Sequence, residues 1–451
     1  MATLPNSFRL LICFLLQSLC LSAAEAPCQI GVARVDITPD YPVRLSGYGS
    51  RRTVSEGVAQ RIWAKALAIG SDTEGPAILI TVDNCGVSGA IRAQVAERLA
   101  RKTRVAPDRF AVASSHTHTA PMLQGVLPNL FSMDIPPEHQ AQIDRYTQEL
   151  TDKLEQAALA ALADRRPGHL AQVRGQAGFG NNRRTPGGPV DHDLPVLRVT
   201  GADGKLRAVL ASYACHCTTL PGEFNQICGD WAGYAQEYIE RDHPGVIALI
   251  TVGCGADQNP KPRPGLELAQ KHGQEIADEV KRVLGETLSP VKGRPACRTK
   301  RIHLPFDKLP TLENWEALAN GKSVPIAYHA RKNLARLQRG ESLPTSLPYL
   351  IQVWSFGSDL AMVFLPGEVV VDYGLRLKMD FDARRIWVNA YANDVPCYIP
   401  SRRVLTEGGY EGGGAMVYYD RPTRFAADVE DLIVGAVHEL MPKQFAAPRP
   451  R

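Results

Sequence analysis

Short apolar runs alternate along this chain with stretches of helical periodicity, which places it in the α/β class. The runs read as strands cover 31–37, 77–82, 110–114, 169–174, 195–199, 209–214, 246–252, 299–304, 349–356, 360–365 and 385–390. Helical periodicity covers 90–104, 139–164, 232–240, 267–287, 327–339 and 424–440. The Pro/Gly-rich stretch 178–190 and the glycine-rich stretch 393–414 read as loops. No internal repeat or linker divides the chain. It reads as a signal at 1–24, a single large mixed α/β domain at 25–445 and a frayed tail at 446–451.

Composition narrows the class further. Hydrophobic residues make up 44% and charged residues 22%, which excludes a disordered, collagenous or coiled-coil chain. A net charge of +4 over 451 residues gives no footprint for nucleic acid. Arg9 is the only charge before Glu25, and the apolar run 10–21 is too short to span a bilayer, which needs about 20 residues. With Ser22-Ala23-Ala24 behind it, this reads as a secretory signal cleaved after Ala24, so the mature protein is expected to be exported, secreted or periplasmic. Cleavage would leave Cys28, Cys85, Cys215, Cys217, Cys228, Cys254, Cys297 and Cys397, an even set that permits disulfides in such a compartment. The absence of any CxxC pair argues against a thiolate zinc finger. On a strand, His216 would point away from Cys215 and Cys217, so that trio is not read as a ligand set.

Five of the apolar runs end in metal-capable or polar residues. Run 110–114 leads into Ser115-His116-Thr117-His118, and run 209–214 into Cys215-His216. Run 246–252 leads into Gly253-Cys254-Gly255-Ala256-Asp257-Gln258-Asn259-Pro260. Run 360–365 leads into Pro366-Gly367-Glu368, and run 385–390 into Asn393-Asp394 and Tyr398. Open α/β sheets place their sites outside the carboxyl ends of the strands, so five such ends suggest one shared crevice. His116, His216 and Glu368 would form a two-His, one-carboxylate zinc set with room for water. Such an ion lowers the pKa of its water to about 7 and polarises a carbonyl. Asp83 and Asp230 are candidates for orienting the histidines from behind. Asp191-His192-Asp193 looks like a catalytic dyad, but strand alternation favours a structural role. Ser114 and Ser115 lack the Gly-x-Ser-x-Gly frame of a nucleophile elbow.

These segments, in this order, resemble the catalytic domain of the neutral/alkaline non-lysosomal ceramidases. The resemblance begins at Gly31-Val32-Ala33-Arg34-Val35-Asp36-Ile37-Thr38-Pro39 and Ser46-Gly47-Tyr48. It continues through Ser115-His116-Thr117-His118-Thr119-Ala120-Pro121, then His216 with Gly229-Asp230 and Gly233-Tyr234-Ala235. It ends with Leu365-Pro366-Gly367-Glu368 and with Tyr398 followed by Tyr410-Glu411. The resemblance implies a zinc ion held by His116, His216, Glu368 and Tyr398. It implies that His118 and Tyr410 line the scissile amide and that Arg183 faces substrate. Asp257 and Gln258 would contact substrate, although Asp257 could instead cap a helix.

Two departures stand out. The family's Gly-Asp-Val-Ser-Pro-Asn is replaced by Gly255-Ala256-Asp257-Gln258-Asn259-Pro260, so Gln258 stands where the family has an essential serine. That argues against a serine-dependent mechanism and weakens the case for ceramide itself. It leaves a zinc–water mechanism intact. The resemblance runs to the 420s, and the chain is expected to stop after the helix near Leu440, without the immunoglobulin-like C-terminal domain that family members usually carry. The expected function is zinc-dependent hydrolysis of an N-acyl amide, ceramide-like or otherwise lipid- or sugar-linked, with peripheral contact to a membrane surface. A zinc esterase or lactonase, or a non-catalytic binding protein on the same scaffold, are the alternatives.

Overall fold

The computed structural model describes residues 28–292 and 294–447. The expected signal at 1–24 and most of the expected tail lie outside them. The fold is mixed α/β. In the main sheet Phe110–Ser114, Ala77–Val82, Trp63–Ile69, Cys28–Asp36, Arg166–Gln176, Asp193–Gly201, Leu206–Tyr213 and Ile247–Val252 are neighbours in that order, and Ser289–Val291 adds to Arg166–Gln176. Both ends of this path are parallel pairs, whereas the joins between them are antiparallel. A second sheet runs Pro295–Pro305, Ser346–Phe356, Leu360–Phe364, Ile386–Asn389 and also ends in a parallel pair.

The alternation of side chains along each strand builds the layers. Leu67 and Ile69 join Leu197, Leu210, Trp354, Phe356, Met362 and Trp387 in an apolar layer shared by the two sheets. Ala64, Ala66 and Ala68 turn the other way, into the core that takes in the buried residues of helix Pro137–Ala163. That helix packs on strands Cys28–Asp36 and Trp63–Ile69, Asp230–Asp242 packs on Ile247–Val252, and Val429–Leu440 covers the second sheet. Small alanines on the helix side let the long helix approach closely, while large residues fill the space between sheets.

Backbone hydrogen bonds join the strand ends. Ser114 N–H donates to Tyr391 O (3.1 Å), Ala390 N–H to Val252 O (2.9 Å), Gly253 N–H to Tyr213 O (3.1 Å) and Leu365 N–H to Asn389 O (2.8 Å). These bonds bring the run ends together, and His118, Asn259 and Tyr398 from the clusters that follow them line one cleft.

Several elements differ from expectation. Strand Trp63–Ile69 was hidden by Lys65, a charge inside an apolar run. Lys65 is buried and satisfied by Glu240 (2.6 Å) and the Ala248 carbonyl (2.9 Å). Helices Leu312–Ala319 and Val371–Asp380 were not foreseen. The last long helix begins at Val429, not 424. Before it, Phe425 stacks on Phe306 (5.2 Å) and Ala426 N–H bonds Pro305 O (2.9 Å), which holds the chain extended. All eight cysteines of the described residues are free, six of them buried. Ala446 and Ala447 bond to Lys443 O and Asp380 O, so these two tail residues are tied down. Among the described residues no helix is long and apolar enough to cross a membrane.

Candidate metal centre

Each histidine of the cluster is aimed by the main chain. His116 follows its strand with φ 59°, a left-handed conformation uncommon outside glycine, and this turn directs its ring into the crevice. His116 Nδ1 lies 2.5 Å from Cys85 O, and His216 Nδ1 lies 2.8 Å from Gly255 O. A carbonyl only accepts, so each Nδ1 carries the hydrogen and each Nε2 is left as a lone pair. Gly367 (φ 85°) makes the sharp turn before Glu368, and a Cβ there would lie 2.7 Å from Cys397 O. Strands Glu368–Val369 and Tyr398–Ile399 then pair in parallel with Glu368 beside Tyr398.

Three buried ligand atoms converge. Glu368 Oε2 lies 3.2 Å from His116 Nε2 and 3.0 Å from His216 Nε2, and all three atoms lie within 4.8 Å of one another. Glu368 Oε2 has no hydrogen-bond donor, while Oε1 accepts from the Tyr419 hydroxyl. Two imidazole lone pairs and a bare carboxylate oxygen facing one another in a buried site require a positive charge between them. The protein alone can supply it only as a proton. Burial pushes His116 down, but Glu368 and the Cys85 thiol outweigh it and raise its pKa to about 10. Burial and the Arg183 charge lower His216 to about 4. The cluster thus has room for one added charge, and its donor set fits a divalent ion of the zinc type. Cys85, His116 and His118 form a second group of adjoining ligand atoms.

The remaining predicted residues divide into two sets. A cleft of about 650 Å³ is lined by His118, Arg183, Tyr398 and Tyr410 among others. His118 Nε2 lies 3.0 Å from His116 Nε2, and Tyr398 Oη lies 3.4 Å from His216 Nε2. Tyr410 meets Tyr398 edge-on at 5.3 Å. Arg183 donates to Tyr398 Oη (3.0 Å) and to Glu411 (2.7 Å). Burial, reinforced by His116 and His216, lowers His118 well below the ordinary histidine range, so its imidazole is neutral. Burial raises Tyr398, against Arg183.

Asp257 and Gln258 belong to the second set, for both are fully buried and neither lines the cleft. The Asp257 carboxylate accepts from Val371 N–H (2.8 Å) and caps helix Val371–Asp380. Gln258 accepts from Asp191 N–H (2.8 Å) and donates to Ala214 O (2.5 Å), so both ends of its amide are engaged inside the protein. The expected substrate contacts are therefore replaced by internal bonds. Asp83 and Asp230 do not orient the histidines. Asp83 accepts from Trp63 N–H and Gln236, and Asp230 from Leu220 N–H and Trp231 N–H. His192 bonds Gly180 O (2.8 Å), while Lys378 pairs with Asp191 and Asp193, which makes that trio structural. Ser114 and Ser115 are buried outside the cleft lining.

Sequence reasoning missed two tyrosines. Tyr419 bonds Glu368, and Tyr391 stacks on His116 at 4.3 Å. Tyr391 lies in the bend after strand Ile386–Asn389 and Tyr419 ends the 3-10 helix Gly414–Tyr419, and only the pair Tyr418-Tyr419 after a glycine-rich stretch hinted at one of them.

With the geometry established, the comparison with known proteins is direct. The family model "Neutral/alkaline non-lysosomal ceramidase, N-terminal" matches residues 28–251. Over these residues the chain is similar to that family's N-terminal domain. Neutral ceramidase of Pseudomonas aeruginosa is 22% identical over 90% of this chain and 72% of its own length. Neutral ceramidase of Drosophila melanogaster is 25% identical over 56% of this chain, which spans only 38% of that relative. The crystal structure of the Pseudomonas aeruginosa neutral ceramidase superposes with a TM-score of 0.72 at 21% identity, over 95% of this chain and 77% of that one. A ceramidase complexed with C2 gives 0.71 at 19% identity over 95% and 78%. These likenesses agree with the mixed α/β fold.

Proposed function

We propose that this protein is a zinc-dependent hydrolase that cleaves an N-acyl amide, ceramide-like or otherwise lipid- or sugar-linked, after export from the cell. The observation that carries the reading is the convergence of His116 Nε2, His216 Nε2 and Glu368 Oε2 beside a cleft. These three residues would hold the ion, with Tyr398 as the fourth ligand. A zinc ion so held supplies Lewis acidity, polarising a carbonyl and making water nucleophilic near neutral pH. Arg183 donates to Tyr398 Oη, which fixes the phenol and leaves its remaining valence facing His216. Neutral His118 would hydrogen-bond the reacting amide from the other side. Tyr410, a protonated phenol at the cleft mouth, would donate to the oxyanion that develops there. Glu368 is held through Tyr419, so it stays aimed during turnover.

The departure at Gln258 does not weaken this reading, because its side chain lies behind the cleft and not in it. The test is metal analysis of the mature protein alongside Glu368→Ala. The expected result is about one zinc per chain, as one closed ligand set holds one ion, lost in the variant together with amide hydrolysis. A wild type that takes up no zinc from excess metal, or a fully active Glu368→Ala, refutes it. Amide and ester analogues of one acyl group separate an amidase from an esterase or lactonase.

A further inference from the structure

We propose that the substrate is a polar amide carrying an anionic oxygen group, a carboxylate or a phosphate, and that Arg263 is the residue that reads it. This rests on the hydrolase reading above and gives that site a substrate class.

The cleft has no aliphatic wall. Three guanidinium groups, those of Arg183, Arg184 and Arg263, line it together with the Glu407 and Glu411 carboxylates, His118, tyrosines, glycines, Thr218 and Asn259. A long neutral hydrocarbon gains affinity from apolar lining, which here is confined largely to the rings of Tyr48, Tyr398 and Tyr410. The charges are also unbalanced. Arg183 and Arg184 share Glu411 (2.7 and 2.5 Å), and Arg184 also reaches Glu407 (3.1 Å). Among the described residues Arg263 has no carboxylate partner. One of its donors bonds Thr218 O (3.3 Å), which leaves most of the guanidinium fork free.

Arg263 is nonetheless tied to the reacting end of the cleft. Asn259 Oδ1 accepts from both Arg183 Nη1 (3.4 Å) and Thr218 Oγ1 (3.2 Å), and Thr218 O accepts from Arg263. One polar wall therefore runs from Tyr398 through Arg183, Asn259 and Thr218 to Arg263. Beneath the opposite wall, buried Arg51 bonds only carbonyls, including His118 O (2.6 Å) and Phe224 O (3.1 Å). Among the described residues no carboxylate lies within ion-pair distance of it, Glu223 acting only from further off, and its charge adds to the positive field in the cleft. A planar carboxylate, or a phosphate, is the partner that a free guanidinium fork in a positive cleft selects.

The test is equilibrium binding of hydrolysis-resistant ketomethylene isosteres to the zinc-loaded mature protein by calorimetry. The neutral probe is the isostere of N-ethylacetamide. The anionic probes are the isosteres of N-acetylglycine, N-acetylaminomethylphosphonate and N-ethylsuccinamate, which place a carboxylate or phosphonate on the amine or acyl side. The expected result is that at least one anionic probe binds about fivefold or more tighter than the neutral one. Arg263→Gln should abolish that preference, and added salt should reduce it. Equal binding of all probes, no measurable binding of any, or a preference that survives Arg263→Gln overturns the proposal. Hydrolysis is measured separately. An anion preference without turnover of any amide refutes the hydrolase reading alone, and turnover without anion preference refutes this inference alone.

Discussion

Gly47 offers the sharpest perturbation of the site, because the damage can be worked from distances. Gly47 has φ 86°, and a methyl group on it would lie 2.4 Å from His118 Cγ, 2.5 Å from Cβ and 2.6 Å from Nδ1. Ordinary contact begins near 3.4 Å, so in Gly47→Ala the ring or the turn must give way by about 1 Å. The ring has little freedom: Tyr48 meets it edge-on at 5.0 Å, His116 at 4.7 Å, and Arg51 holds its carbonyl. An error of about 1 Å in a reacting geometry costs roughly 100-fold. The left-handed backbone adds roughly 1–2 kcal/mol of strain to any residue with a Cβ.

Gly47→Ala should therefore lower kcat/KM for an N-acyl amide about 100-fold and the melting temperature by a few degrees. Its zinc content should match the wild type, since His118 is not among the three converging ligands. Steady-state kinetics, a thermal melt and metal analysis read the three quantities. His118→Ala should lose activity on the same scale, and the double variant should lose little more, because both changes remove one positioned imidazole. Wild-type kcat/KM in both single variants would show that His118 has no part in the chemistry, and losses that add in full would show that Gly47 does not act through it.

Three other outcomes are expected. Tyr419→Phe removes the hydroxyl that donates to Glu368 Oε1 and should weaken zinc binding about 10- to 100-fold in competition with a chromophoric chelator; unchanged affinity would mean that Glu368 is held by its ligands alone. His192→Ala should keep turnover within about twofold and cost roughly 1 kcal/mol of stability for the lost bond to Gly180 O; a collapse of kcat would restore the catalytic reading of Asp191-His192-Asp193. Burial, opposed by Val371 N–H and Arg183, raises the Asp257 carboxyl from 3.8 to about 6. The folded state then holds this proton more tightly than the unfolded one, so ionisation costs stability as pH rises from about 4 to about 6, by up to roughly 3 kcal/mol. Asp257→Asn should gain stability relative to wild type across that window in denaturant unfolding, and a difference that does not change with pH would count against the raised pKa.

What was legible in the sequence and what was not divides along the distance of each contact. His116, His216 and Glu368 each stand a few residues past an apolar run, so a local pattern marks them, and two parallel pairs together with the backbone bonds Ser114–Tyr391 and Ala390–Val252 join those run ends. Tyr419 reaches Glu368 across 51 residues, and nothing near either residue announces it. Lys65 obscured a strand because its partner Glu240 lies 175 positions away. Helix Val371–Asp380 went unseen for the same reason, since its cap is Asp257, 114 residues earlier. The histidines show the effect most clearly. An orienting Asp would be visible as a residue type, and Asp83 and Asp230 were natural candidates. The groups that do the orienting are the carbonyls of Cys85 and Gly255, and a carbonyl belongs to every residue.

The same distinction settles how Gln258 should be understood. Read from the sequence, it is a lost hydroxyl in a catalytic segment. In the fold its backbone carbonyl accepts from His216 N–H (2.9 Å), while its side chain ties Ala214, two residues before His216, to Asp191. Gln258 thus braces the segment that presents a metal-facing histidine. A serine there would be too short to span from Ala214 O to Asp191 N–H, so Gln258→Ser would loosen this brace without placing a hydroxyl in the cleft. The departure from the family pattern therefore changes the scaffold behind the site. On the reading proposed above, selectivity would be set on the other side, by the arginines that line the cleft.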